Sequence, residues 1–206
     1  MNHIVILCHI KETRAMQTPT PAHIIDMLAD APVVAAVKDD AGLEQSLACG
    51  ARVVFVLYGT VVSIPGIVAR IAQAGKAPMV HIDLIDGLAA RDVAVDYIAQ
   101  NTQAAGILST KPAPLRRARE LGLVAIRRFF LLDSMALANL QKQLDGAADL
   151  VEVLPGAMPK VLCTIAATCP MPLIAGGLIA DKEDVVNALA AGALAISSTN
   201  PAVWNL

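Results

Sequence analysis

Residues 151–199 decide the fold of this chain, and they contain three short apolar runs: Val151-Glu152-Val153-Leu154-Pro155-Gly156, Leu173-Ile174-Ala175-Gly176-Gly177-Leu178 and Ala195-Ile196-Ser197-Ser198-Thr199. Each run has the composition of a buried parallel strand and is closed by Gly, Pro, Ser or Thr. In a parallel barrel the loops after the last two strands are a common phosphate site, because their backbone N–H groups point into one pocket. The runs therefore predict that the protein binds a small phosphorylated ligand, and by themselves they indicate no particular reaction.

The same alternation of strand and helix extends outward to residue 32. The predicted strands are 32–37, 52–57, 79–83, 105–109, 123–129, 150–154, 172–175 and 194–197, with helical patterning between them. About eight strands, each followed by a helix and the last helix very short, predict a compact TIM-type (β/α)8 barrel. A doubly wound open sheet is the alternative, although no G-x-G-x-x-G follows the first strand.

The first 30 residues do not fit this repeat. We expect a single domain, 1–206, in which 1–30 form an N-terminal extension and 31–206 the barrel. Within the extension, His3–His9 has the pattern of an extra strand, and Pro21–Leu28 that of a helix that plugs or covers the bottom of the barrel. Lys11-Glu12 interrupts the apolar start too early for a signal peptide.

Composition narrows the classes of function. The 206 residues are 56% hydrophobic and only 3% aromatic. The net charge is −2, so the overall charge does not attract nucleic acid or a membrane surface, and RNA binding would need a local basic patch. No apolar run is long enough to span a bilayer. The four cysteines, Cys8, Cys49, Cys163 and Cys169, lack metal or disulfide spacing. A cytoplasmic protein with reduced thiols and no metal is expected.

His81 and Asp83 end the third predicted strand, two residues apart, so their side chains are expected on one side of it. At the mouth of a barrel, Asp83 would accept a hydrogen bond from a ligand hydroxyl, and His81 would donate to a phosphate or hydroxyl. The alternatives are a His–Asp pair that orients a loop and a weak two-ligand metal site.

Glu152 lies inside an apolar strand, where a carboxylate is costly unless it is paired. Its natural partners are Arg127 and Arg128 one strand earlier, whose side chains point to opposite sides. Glu152 is either a structural ion-pair partner or a hydroxyl contact, and a guanidinium at this position suits a phosphate or carboxylate.

Two further groups of residues carry binding predictions. The Gly176-Gly177 and Ser197-Ser198-Thr199 segments would supply backbone N–H groups and hydroxyls to a phosphate. Lys111, Arg116, Arg117 and Arg119, with Arg127 or Arg128 nearby, form the one notable basic cluster, which is either a solvated helix face or a nucleic-acid contact. No complete catalytic constellation is found: there is no G-x-S-x-G, no cysteine beside a base, and no lysine that ends a strand, although Lys111 just after strand four is left open.

At these residues the chain resembles the glycerol-3-phosphate-responsive antiterminator family. The resemblance runs from about residue 30 to 206 and rests on these stretches: His81-Ile82-Asp83-Leu84-Ile85-Asp86-Gly87-Leu88, Ala105-Gly106-Ile107-Leu108-Ser109-Thr110-Lys111, Ala125-Ile126-Arg127-Arg128-Phe129-Phe130-Leu131-Leu132-Asp133-Ser134, Val151–Gly156, Ile174–Ile179, Ser197-Ser198-Thr199 and Trp204. The chain departs from the family at Arg127, where Gln is usual, at Lys111, where Arg is usual, and at Gly59-Thr60, where an acidic residue often follows Gly.

The resemblance implies a TIM-type barrel without catalysis or cofactor, which binds glycerol 3-phosphate and acts on leader mRNA to prevent termination. Its ligand site would comprise His81, Asp83, Arg128, Glu152, Gly176, Gly177, Ser197, Ser198 and Thr199. Lys111, Arg116, Arg117 and Arg127 are the candidate RNA contacts. The alternatives are a barrel enzyme acting on a phosphorylated triose or sugar, with His81 and Asp83 as acid and base, and a sensor that works through a protein partner. A homo-oligomer is left open.

Overall fold

The computed structural model describes residues 19–143 and 146–206, apart from the side chain of Gln141. The proposed strand at His3–His9 lies outside the described residues. Within them, eight parallel strands close into one barrel in chain order, each hydrogen-bonded to its sequence neighbours and β8 to β1. The predicted (β/α)8 barrel is therefore confirmed, and the open doubly wound sheet is excluded.

The elements follow the predicted alternation closely. The strands are β1 Val33–Val37, β2 Val53–Val56, β3 Ala77–His81, β4 Gly106–Ser109, β5 Val124–Phe130, β6 Leu150–Leu154, β7 Leu173–Gly176 and β8 Ala195–Ser198. The α-helices are α1 Pro21–Asp30, α2 Asp40–Ala48, α3 Ile64–Gln73, α4 Asp92–Asn101, α5 Pro112–Glu120, α6 Ser134–Lys142, α7 Pro159–Ala166 and α8 Lys182–Ala190. A single 3-10 turn, Pro201–Val203, follows β8, as the very short last helix was expected to.

Helix α1 confirms the predicted plug. Thr20 caps it by accepting a hydrogen bond from the His23 N–H, and Pro21 fits its first turn. Ile24, Met27 and Leu28 share one face at helical spacing, and all three are buried against the inward side chains of the strands. The helix therefore closes the amino-terminal end of the barrel and shares its core. The division into an extension and a barrel remains a prediction.

The inward side chains fall into layers, because strands tilt in a closed barrel and alternate strands contribute to one layer. Following the registers from strand to strand gives four layers of four residues. From the carboxyl end downward they are Ala36, His81, Arg128 and Gly176; then Phe55, Leu108, Glu152 and Ser197; then Val34, Met79, Ile126 and Ile174; then Val53, Gly106, Leu150 and Ala195. The upper two layers hold all the inward charged side chains, and the lower two are entirely apolar.

The outward side chains of the strands form a second core against the surrounding helices, with Val37, Val56, Ile107 and Val153 among its buried members. Since the strands are buried on both faces, their sequences are mostly apolar, as expected for a parallel sheet. The polar strand residues lie toward the carboxyl ends of the strands, and those that point inward mark the mouth of the barrel.

Candidate ligand site at the barrel mouth

The centre of the mouth is a buried ion pair between neighbouring strands. Arg128 on β5 lies opposite Glu152 on β6, and its Nε donates to Glu152 Oε2 at 2.5 Å. Glu152 is completely buried, and its other oxygen, Oε1, accepts a hydrogen bond from Ser197 Oγ at 2.5 Å. A buried carboxylate is tolerated only when such partners replace water. The predicted pairing is confirmed, with Arg128 rather than Arg127 as the partner.

Gly176 is required beside this ion pair. A Cβ at this position would lie 2.6 Å from both Glu152 Oε1 and Ser197 Oγ, closer than any side chain can approach. Glycine therefore lets the hydrogen bond between Glu152 and Ser197 form directly beneath the mouth. Glu152 itself has no exposed surface, so a direct contact with a ligand remains a prediction that its burial does not favour.

His81 and Asp83 meet at the mouth, but not by strand alternation. Strand β3 ends at His81, and Asp83 lies in a 3-10 turn, Ile82–Leu84, so the expectation that both residues belong to the strand was wrong. The chain bends here because Asp83 is held by the next strand: Ser109 Oγ donates to its Oδ1 at 2.7 Å, and the Thr110 N–H and Oγ1 donate to its Oδ2 at 2.8 Å. Sequence reasoning missed Ser109 and Thr110, although both lie in a stretch quoted for the family resemblance.

The pKa values of the pair are shifted by these surroundings. Burial and the neighbouring Arg128 cation lower the pKa of His81 to about 4, against the opposing effect of Asp83, so the imidazole is neutral at pH 7. Burial raises the pKa of the Asp83 carboxyl, but hydrogen bonds from Thr110 and Ser109 outweigh it and hold that pKa below its usual value. His81 Nδ1 is buried and has no hydrogen-bond partner among the described residues. Buried polar atoms are nearly always hydrogen-bonded, so this nitrogen is a candidate contact for a bound molecule.

The two predicted phosphate segments lie side by side at the rim. Gly177 and Leu178 both have positive φ, at 73° and 61°, and the conformation of Leu178 is one that side chains rarely adopt. Within the described part of the chain, the N–H groups of Gly177, Leu178 and Thr199 donate to no acceptor. The side chain of Ser198, in contrast, donates to the Ile179 carbonyl at 2.8 Å. Ser198 therefore supports the neighbouring loop, and its contact with a ligand stays a prediction.

The four candidate RNA contacts are placed in different surroundings. Lys111 and Arg116 are exposed at the start and on the outer face of α5. Arg117 forms ion pairs with Asp96 at 2.8 Å and Glu120 at 2.9 Å. Arg127 points outward, is buried, lies over the Phe129 ring and donates to Gln143. The patch remains a prediction, and Lys111 and Arg116 are the members with exposed side chains.

Among the described residues, no helix is long and apolar enough to cross a membrane, and no three His, Cys, Asp or Glu side chains converge as metal ligands would.

Comparison with known proteins identifies similar sequences. Residues 33–204 match the sequence model of a protein family described as glycerol-3-phosphate responsive antiterminator. The uncharacterized protein YgcP of Escherichia coli (strain K12) is 41% identical over 184 residues, covering 89% of this chain and 96% of YgcP.

Two solved structures are similar to this chain over most of its length. The glycerol uptake operon antiterminator regulatory protein from Listeria monocytogenes str. 4b F2365 is 28% identical, with a TM-score of 0.80 over 84% of this chain and 94% of that one. The glycerol uptake operon antiterminator-related protein from Thermotoga maritima MSB8 is 30% identical, with a TM-score of 0.72 over 84% and 96%.

Proposed function

The chain belongs to the glycerol-3-phosphate responsive antiterminator family, and from this premise we propose that it binds glycerol 3-phosphate or a related three-carbon phosphate ester at the barrel mouth. In the ligand-bound state it acts on leader mRNA in the cytoplasm to prevent termination at genes of glycerol uptake or metabolism. The observation that carries the proposal is the polar mouth itself. Arg128, Glu152 and Ser197 form one buried network beneath loops whose N–H groups are available to an anion.

The phosphate of the ligand would sit on the rim, and its carbon chain would point down into the mouth. The N–H groups of Gly177, Leu178 and Thr199 suit the phosphate oxygens, because backbone amides bind anions without a side-chain charge. Below them, Arg128 and His81 are neighbours in the uppermost layer. A ligand that bridges rim and layer would favour one arrangement of the loops, which is what differential affinity for two states requires.

Calorimetric titration of the whole protein with glycerol 3-phosphate, glycerol and inorganic phosphate tests the site. We expect saturable binding of the ester and much weaker binding of either fragment. Thr199→Asp places a carboxylate at the exposed rim and should weaken ester binding at least ~10-fold, since like charges repel in a partly desolvated site. Thr164→Asp makes the same change on the exposed face of α7 and should leave affinity unchanged. Equal losses of ester affinity in both variants would show that the phosphate does not bind at this rim.

RNA recognition is tested by charge reversal on α5. Lys111→Glu combined with Arg116→Glu should weaken binding of the operon leader RNA and reduce its dependence on salt, because each phosphate contact releases counterions. Ester affinity should not change. Lys38→Glu, at an exposed position beside β1 across the barrel, is the control for a single charge reversal, to be compared with Lys111→Glu and Arg116→Glu taken one at a time. An unchanged salt slope in the double variant would exclude this face.

A barrel enzyme is the second candidate, and His81 favours it, since a neutral imidazole beside Asp83 could transfer a proton. Against Schiff-base chemistry, none of the described strands contains a lysine. Proton NMR of the protein with a triose phosphate separates the candidates. Turnover that disappears in His81→Ala would establish the enzyme, and an unchanged spectrum over hours supports the regulator.

A further inference from the structure

The segment from the end of β5 to the start of α6 presents apolar side chains to solvent at the mouth. Phe130 is 52% exposed, Leu132 is 86% exposed and Met135 is 69% exposed. Single apolar residues are ordinary on a protein surface, but three within the short segment 130–135 form a group. We call these three residues the apolar patch. Such a group indicates an interaction surface.

Phe130 differs from the other aromatic residues of the chain. The sequence has three Phe, two Tyr and one Trp, and all of them lie in the described residues. The other five are buried or held by the protein: Phe55 is completely buried, Phe129 lies under Arg127, Tyr58 donates to Asp40, Tyr97 donates to the Val61 carbonyl, and Trp204 donates to the Ser198 carbonyl. Among the aromatic residues, only Phe130 is more than half exposed.

Strand alternation places Phe130 beside the proposed ligand site. Arg127 and Phe129 point outward, so Arg128 and Phe130 point toward the barrel axis. Phe130 is paired in register with Leu154, two residues beyond the pair of Arg128 with Glu152. The ring therefore lies at the rim, and a partner that covers it also lies beside the mouth.

The chain segments on both sides of the apolar patch contain cations and no acidic residue. Residues 106–119, from β4 into α5, have no Asp or Glu, and neither do residues 153–180, from the end of β6 to the start of α8. Lys111 and Arg116 are exposed on the first segment, and Lys160 is exposed in the first turn of α7 on the second. A polyanion is therefore the partner whose charge complements this sector of the rim.

The one acidic residue within the segment 130–135 is Asp133. Its carboxylate caps α6 by accepting a hydrogen bond from the Ala136 N–H at 2.8 Å, and the positive end of the helix dipole offsets part of its charge. Across the barrel, by contrast, acidic residues follow β1 and β3, at Asp39 and Asp83. The cationic flanks thus belong to one sector of the rim and not to all of it.

An exposed aromatic ring between cationic flanks suits single-stranded nucleic acid, because bases stack on the ring while lysine and arginine contact the phosphates. We propose that Phe130 stacks on an unpaired base of the leader RNA, with Leu132 and Met135 beside it. Lys160 joins Lys111 and Arg116 in binding the adjoining phosphates. This inference rests on the RNA-binding part of the proposed function, and it specifies the form of the RNA: a single-stranded segment that crosses the rim beside the ligand site.

Fluorescence anisotropy of the whole protein with glycerol 3-phosphate present tests the stacking. The probes are single-stranded leader RNA and the same RNA annealed to its complement, and the single strand should bind at least ~10-fold more tightly. Phe130→Ala and Phe130→Leu should each weaken single-strand binding at least ~5-fold, near the lower end of the effect of losing one stacked base. Phe130→Trp keeps an aromatic face and should keep the affinity. Val62→Ala, at an 86% exposed position in the loop after β2, is the control and should change nothing.

The outcomes separate the inference from the proposed function. Full affinity in Phe130→Leu would overturn the stacking role, because leucine keeps the apolar surface but has no aromatic face. Full affinity in Phe130→Ala would assign the apolar patch to a protein partner or a second copy of the chain, and equal affinity for single strand and duplex would overturn the inference as well. In these cases the proposed function stands, since the parent binds the RNA. Failure of the parent to bind either RNA would overturn the RNA-binding function, and the inference with it.

Charge reversal at Lys160 tests the second flank. Lys160→Glu should weaken RNA binding and reduce its dependence on salt, because a phosphate contact releases counterions. Lys38→Glu, across the barrel, should do neither. Phe130→Ala removes no charge, so its salt slope should equal that of the parent. An unchanged salt slope in Lys160→Glu would contradict the contact assigned to this lysine.

Discussion

The two ends of the barrel interior are built on the same alternation of strand residues, yet they contain opposite chemistry. At the amino-terminal end, two apolar layers meet Ile24, Met27 and Leu28 of α1, and water is excluded by simple burial. At the carboxyl end, Arg128 and Glu152 are buried just as deeply, and their mutual pairing, with the hydrogen bond from Ser197 to Glu152, offsets the loss of their hydration. The lower end thus supplies stability, and the upper end holds donors in fixed positions at the expense of some of that stability.

The largest effect is expected from breaking the pair at the upper end. Glu152→Ala leaves the Arg128 cation buried without its partner and should lower the free energy of unfolding by about 3 to 5 kcal/mol. Glu152→Gln keeps the shape and one acceptor, so its loss should be clearly smaller. Urea denaturation of the three proteins measures both values. If Glu152→Ala were no less stable than Glu152→Gln, the ion pair between Arg128 and Glu152 would not be what offsets the cost of burying the Arg128 cation.

The lower end should respond through volume rather than charge. Leu28→Ala removes a completely buried side chain from the plug and should cost about 3 kcal/mol, through lost burial and an unfilled cavity. Ester affinity in the folded fraction should stay within ~2-fold of the parent, because two layers separate Leu28 from the mouth. Parallel denaturation and calorimetry test the separation. A large loss of affinity at preserved folding would show that the two ends are coupled.

Much of this comparison was accessible from the sequence. The apolar runs, their closing glycines and the helix caps predicted the barrel and most element bounds, and the Pro21–Leu28 pattern predicted the plug. The sequence also indicates that Glu152 has a polar partner, because a carboxylate within an apolar strand requires one. The choice between Arg127 and Arg128 required the register, since adjacent residues point to opposite faces and only the barrel decides which face is inward.

What the sequence did not contain is the set of contacts between distant strands. The two-residue spacing with His81 predicts a strand position for Asp83. Hydrogen bonds from Ser109 and Thr110, 26 and 27 residues away, hold it in a turn instead. The same holds for Gly176, whose missing Cβ makes room for an atom of β6 and one of β8. Such constraints depend on which residues closure brings together, and no local pattern encodes them.

Protonation offers a milder way to perturb the upper end. The folded protein holds the pKa of His81 at about 4, below its unfolded value, so the unfolded chain binds this proton first as the pH falls. Stability should therefore decline between about pH 6.5 and pH 4, by roughly 2 kcal/mol from pH 7 to pH 4.5. His81→Asn should lack this part of the decline. Urea midpoints at the two pH values measure it, and identical pH dependence in both proteins would contradict the buried neutral state.

The smallest effect on stability is expected from removing a helix cap near the rim, because this change leaves the layers of the barrel interior intact. Asp181 caps α8 by accepting a hydrogen bond from the Asp184 N–H at 3.0 Å, and Asp184 in turn accepts from the Ala180 N–H at 2.9 Å. Asp181→Ala should lower the free energy of unfolding by about 1 kcal/mol. Asp133→Ala removes the equivalent cap of α6 and is the control, because its helix does not follow the phosphate loop. The two variants should lose similar stability, measured by urea denaturation. Only Asp181→Ala should weaken ester binding, by a few-fold, because the loop from Gly176 leads directly into the helix that Asp181 caps. Equal ester affinity in both variants would mean that the loop is positioned by the layers beneath it and not by the helix that follows.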